Sequence, residues 1–108
     1  MDLAELAYRL TQAFPKAELI GMTSQIRRAA VSIPANIAEG WGRNNAGDFS
    51  RFLNIARGSL KELETHLILS HRVGLCSEPD VQPLLDQAIV LSKQIHALAT
   101  TVERNRPH

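Results

Sequence analysis

Residues 45–74 read NAGDFSRFLNIARGSLKELETHLILSHRVG. Phe49, Phe52/Leu53, Ala56, Leu60, Leu63, Leu67 and Ser70 recur at alternating steps of three and four, held over about six turns, which is one face of an amphipathic helix. Asn45 stands where its side chain can cap that helix, and Asp48, three residues on, lies beside the positive helix end. Gly74 is the natural stop, because glycine adopts the left-handed backbone of a helix C-terminus without penalty. The stretch predicts a helix over residues 46–73, and neither flank contains a convincing strand.

Downstream, Ser77-Glu78-Pro79-Asp80 opens another helix over residues 78–103. Ser77 serves as the cap, Pro79 falls in the first turn, and Asp80 completes a capping-box-like pair. Leu84/Leu85, Ala88, Leu91, Ile95, Leu98/Ala99 and Val102 form its stripe, and the tail RNRPH is expected to fray. Upstream, Leu3, Leu6, Ala7, Leu10 and Phe14 give a helix over 2–13, ended by Phe14-Pro15 because proline disfavours helical geometry in the residue before it. A connector, KAELIGM, leads to a second helix over 23–43, with Thr23 or Ser24 as N-cap. Short connections between long helices make antiparallel neighbours. The predicted fold is all-α: one domain, residues 1–108, forming an antiparallel up-down four-helix bundle.

The second helix contains SIPANIAEGWGR, residues 32–43, with a proline in its interior. At 100° per residue, Ile26, Ala30, Ile33, Ile37 and Trp41 share the core-facing side. Arg28, Ser32, Asn36, Glu39 and Arg43 form a polar ladder about a third of a turn away. Pro34 removes a backbone donor and crowds the carbonyl of Ala30, predicting a kinked helix at a cost on the order of 3 kcal/mol. Small residues around it (Ala29, Ala30, Ser32, Ala35 and Ala38) admit a close neighbour. In one reading the bend wraps this helix around its neighbours, and Glu39–Arg43 is an i,i+4 pair. In the other, Arg28, Asn36, Glu39 and Arg43 form a polar assembly or binding site at a subunit junction or central opening. Gly40 and Gly42 flank Trp41, as at a helix end where the indole folds back as a hydrophobic clamp.

The last helix has more apolar girth than one bundle needs. Leu85, Ile89 and His96 form a second stripe alongside Val90 and Ala97, and from Leu84 to Val102 the only formal charges are Asp86 and Lys93. A surface helix of a monomer keeps a charged outer face, so a second apolar face predicts self-association.

The composition is that of an ordinary globular domain, 44% hydrophobic and 21% charged over 108 residues. No apolar run approaches transmembrane length, and MDLAELAYRL is not a signal peptide. Together with the single cysteine, Cys76, this predicts a cytoplasmic protein with no disulfide framework, no multi-thiolate zinc site and no membrane association. Net charge is +1. Between residues 22 and 74, seven basic side chains face four acidic ones, a mild local excess.

No catalytic, cofactor or metal site is expected. His66, His71, His96 and His108 include no Glu-x-x-His pair of the di-iron type, and Glu62 and His66 fall off the apolar stripe toward solvent. Cys76 lacks a convincing base and oxyanion donor, and Gly40-Trp41-Gly42 follows a helix instead of joining a strand to one.

The segment TSQIRRAAVSIPANIAEGWGR, followed by DFSRFLNIARGSLKELETHLILSHRVG, resembles the four-helix bundle proteins that include those encoded within intervening sequences of bacterial 23S ribosomal RNA. The resemblance is strong over residues 14–75. It implies a four-helix subunit assembled as a ring-like homopentamer. A more distant relative, the accessory variability determinant of diversity-generating retroelements, is a pentameric barrel that binds nucleic acid and a reverse transcriptase; this chain departs from it in being nearly neutral. The expected function is non-enzymatic binding or scaffolding by an oligomer, with RNA, DNA or a nucleic-acid-associated protein as partner. Arg27, Arg28, Arg43, Arg51 and Arg57 are the candidate nucleic-acid contacts. The alternative is a structural, protein-interaction ring that binds no nucleic acid.

Overall fold

A computed structural model describes residues 2–105, and the expected fraying of the tail at 106–108 lies outside them. The described residues form four α-helices and no strand: α1 (Asp2–Gln12), α2 (Ser24–Trp41), α3 (Ala46–Arg72) and α4 (Glu78–Arg104). The molecule is elongated, 50 × 23 × 18 Å.

The ends of α3 follow from its sequence. Asn45 has extended backbone and its side chain accepts from the Asp48 amide at 3.0 Å. At the other end Gly74 takes φ +84°; its amide donates to the His71 carbonyl and that of Leu75 to Ser70. This doubly bonded closure satisfies carbonyls that the last turn would leave open. Leu53, Ala56, Leu60, Leu63, Leu67 and Ser70 are all buried, as the periodicity predicts. Ser70 breaks the apolar run: it is fully buried, and its hydroxyl has no hydrogen-bond partner among the described residues.

Three local expectations are corrected. Neither Thr23 nor Ser24 caps α2, since both have helical backbone. The connector coils instead, through a 3-10 turn at Lys16–Glu18 and a segment Leu19–Thr23 broken by non-helical backbone at Gly21 (φ −88°, ψ −111°), and the Ser24 amide donates to the Gly21 carbonyl. A backbone partner thus replaces the side-chain cap. Ser77 occupies the N-cap position of α4, but its hydroxyl bonds the Asp80 carboxylate at 2.8 Å and leaves the backbone amides to the Ser77 carbonyl. Trp41 does not face the core; it is 74% exposed. Gly40 takes its place against α3, where Phe49 and Phe52 press so closely that a β-carbon on the glycine would lie 2.8 Å from Phe52 Cβ.

The core joins Leu3, Ala7 and Phe14 to Ile26, Ala30 and Ile33, then to Leu60, Leu63 and Leu67, and finally to Val81, Leu84, Ala88 and Ile95. The most extensive helix contact is α2 with α3, followed by α3 with α4. Helix α1 is short, 11 residues against 27 in α4, or about 16 Å against 40 Å at the usual rise. Its first turn lines a small apolar cavity together with Ile33, Pro34 and Ile37 of α2 and Leu91 of α4.

Candidate functional site

The polar ladder of α2 does not form a single cluster. Ser32 is its structural centre: its hydroxyl meets that of Ser59 on α3 at 2.8 Å, and Asn36 Nδ2 donates to both the carbonyl (2.8 Å) and the hydroxyl (3.0 Å) of Ser32. These half-buried groups satisfy one another, as polar groups between packed helices must. Lower down, Arg43 Nη2 donates to Glu39 Oε1 at 2.7 Å, an exposed pair of modest strength. Arg28 lies near the other end, 15 residues or about 22 Å along the axis from Arg43.

The five arginines separate in the same way. Arg27 is turned inward: its guanidinium lies 4.6 Å from the Tyr8 ring centroid, and Nε donates to Thr11 Oγ1 at 2.9 Å. Thr11 is itself buried, and its hydroxyl donates to the Ala7 carbonyl, so Arg27 fastens α2 to α1. Its neighbour Arg28 is exposed and lines a groove of about 550 Å³ with Tyr8, Leu19, Thr23 and Val31. Arg57 is exposed on α3.

Arg43 and Arg51 converge on one ring. Their guanidinium carbons lie 5.1 and 4.6 Å from the centroid of Phe52, within cation–π range. Phe49 beside it meets Trp41 in a T-shaped pair, with centroids 5.9 Å apart and planes at 82°. The α2–α3 corner is therefore a compact arginine–aromatic cluster closed by an exposed indole. Sequence reading identified both arginines but not their shared ring, which depends on the close approach at Gly40. A missing β-carbon opposite two phenylalanines is the signal that could have shown it.

No group of three or more metal-ligating side chains comes together among the described residues. His66, expected in solvent, is half-buried, and its Nε2 is covered. That atom lies 3.5 Å from Glu62 Oε1 without hydrogen-bond geometry, so the two are close but unbonded. Burial first, and the Asp80 carboxylate second, push the Cys76 thiol above its ordinary pKa, which disfavours the nucleophilic thiolate. No helix among the described residues is long and apolar enough to cross a membrane.

The outward side of α4 is polar only in part. Ile89 is 53% and Val90 49% exposed, with His96 and Ala97 exposed farther along the helix.

The family model described as 23S rRNA-intervening sequence protein matches residues 1–97, and the chain belongs to that family. No curated protein matches it.

Proposed function

We propose that this member of the 23S rRNA-intervening sequence protein family is a non-enzymatic subunit of a closed homo-oligomer, by resemblance a ring of five. The assembly acts in the cytoplasm as a binding or scaffolding module for nucleic acid or a nucleic-acid-associated protein. The observation that carries the reading is the uncovered apolar side of α4 around Ile89 and Val90. Burying such a face offers about 25 cal/mol per Å² of apolar surface removed from water.

Within the subunit, the helices run up and down as an antiparallel bundle. The pairing of Ser32 with Ser59 and of Gly40 with Phe49 and Phe52 supports this for α2 and α3. The bend at Pro34 shapes α2 for its neighbours. The polar site of Arg28, Asn36, Glu39 and Arg43 then divides by role: Asn36 orders Ser32 at the α3 contact, while Arg28 and the Glu39–Arg43 pair remain available to other molecules.

Light scattering of the wild type against Ile89→Glu tests the assembly. The wild type should have a mass several times 11.9 kDa. The variant should give a smaller species that is still helical, because Ile89 is outside the core. A wild type that stays at the single-chain mass at high concentration overturns the proposal. Binding of nucleic acid by Arg28, Arg43, Arg51 and Arg57 should weaken steeply with salt. The competing reading, a ring that contacts only proteins, is favoured by the near-neutral charge and by Glu39 neutralising Arg43. Absence of any oligonucleotide binding at low salt decides for it.

A further inference from the structure

Trp41 is a large apolar side chain that the fold places in water. Between residues 32 and 54 it is the only large apolar side chain left exposed, at 74%. An indole so placed normally has a packing or binding reason, and here packing supplies little. Phe49 is its one aromatic neighbour among the described residues, 5.9 Å away between centroids and nearly perpendicular, and leaves most of the indole in solvent. Its sequence neighbours Gly42, Arg43, Asn44 and Asn45 are all exposed.

We infer that Trp41 is a stacking platform for an unpaired base of single-stranded nucleic acid, with Arg51 and Arg43 meeting the adjoining phosphates. This rests on the nucleic-acid reading above and gives it a location and a strand type. Three observations favour this partner over an apolar peptide. The indole is flanked by Phe49 and by the two arginines on Phe52, so a partner meets a ring and cations together, and a base with its phosphates offers the match to both. The flanking cations are held in place by Phe52, so little freedom is lost when a phosphate arrives. Arg51 has no carboxylate within ion-pair distance among the described residues, and Arg43, though bonded to Glu39 through one nitrogen, keeps further N–H donors. A base in a duplex keeps both faces stacked, so only an unpaired one fits.

Trp41 is the only tryptophan, so the protein's indole emission reports on this position alone. The experiment titrates the full-length wild type with a fluorescein-labelled oligouridylate at low salt, following indole emission and label anisotropy together, with a blunt DNA duplex as comparison. Saturable quenching is expected with the single strand, weaker with the duplex, and reversed by salt. Trp41→Ala should weaken binding by about 5- to 150-fold, as loss of one base–aromatic stack does, while Trp41→Phe restores most of it. Arg51→Gln should reduce the slope of log affinity against log salt by about one. Thermal unfolding of Trp41→Ala should match the wild type, since the side chain is mostly in solvent.

If the oligonucleotide binds while indole emission stays fixed, or Trp41→Ala binds as tightly as wild type, the stacking role is wrong and the nucleic-acid reading survives. Equal quenching by duplex overturns the unpaired-base assignment. An emission blue shift that follows protein concentration instead of oligonucleotide assigns the indole to a subunit contact and overturns the inference. No binding of either nucleic acid removes the nucleic-acid reading and this inference together.

Discussion

Gly40 and Phe52 are in such close contact that a β-carbon on the glycine would lie 2.8 Å from Phe52 Cβ, nearer than atoms tolerate. Gly58, on α3, has open space where its β-carbon would be. Both lie within helices, where alanine is favoured over glycine by about 1 kcal/mol. The same substitution should therefore have opposite signs at the two positions. Gly58→Ala should stabilise by about 0.4–1 kcal/mol. Gly40→Ala should destabilise, because overpacking costs about 1–3 kcal/mol and outweighs the propensity gain. Urea unfolding at one fixed protein concentration measures both.

The two N-caps should also differ. Asn45→Ala removes an acceptor from a backbone amide and should cost about 1 kcal/mol. Ser77→Ala removes a bond to the exposed Asp80 side chain only, and should cost measurably less in the same unfolding assay.

Ser70 is a buried hydroxyl without a partner among the described residues, on a stripe that is otherwise apolar. An unsatisfied buried polar group carries a penalty of about 1–3 kcal/mol. Ser70→Ala should raise the thermal midpoint, whereas Leu63→Asp, at a fully buried position, should abolish the cooperative transition.

Pro34 lies within α2, half-buried among Leu3, Ile33, Ile37 and Leu91. If Pro34 serves assembly as proposed, Pro34→Ala should leave far-UV helicity intact and lower the oligomer mass in light scattering. An unchanged mass with a higher melting temperature would show that the proline is merely tolerated.

The Cys76 thiol is raised by burial and by Asp80. The folded state then holds the thiol proton more tightly than the unfolded chain does. This contribution to stability is complete below the unfolded thiol pKa and is lost as pH rises through the folded value. Alkylation of the native protein should accordingly reach half-maximal rate at higher pH than in urea. Asp80→Asn should narrow the gap, and identical pH profiles in the two states would contradict the assignment.

These tests reflect how unevenly the structure could be read from sequence. Helix α3 was legible because its stripe is regular and both ends carry residues with one evident use, Asn45 and Gly74. The start of α2 was not, because Thr23-Ser24 offers a side-chain cap that a backbone turn at Gly21 makes unnecessary. Trp41 fell on the apolar face of the helical wheel, yet α3 packs over Gly40 and displaces it outward. Arg27 and Arg28 are adjacent and look alike in sequence. Only the crossing of α1 and α2 shows that the first is committed to Tyr8 and Thr11 and the second is free at the surface. Helical period locates a face, but only the partner helix decides which side chains it covers.

The α2–α3 contact, the most extensive in the molecule, joins neighbours linked by residues 42–45 alone. Helical hairpins of this kind close a small loop, and proteins dominated by such local contacts fold quickly. During synthesis the hairpin can form once residue 72 has left the ribosome, while α4 is still held in the exit tunnel. The side of the hairpin awaiting α4 would meanwhile be bare, and that interval is when the nascent chain is most exposed to aggregation.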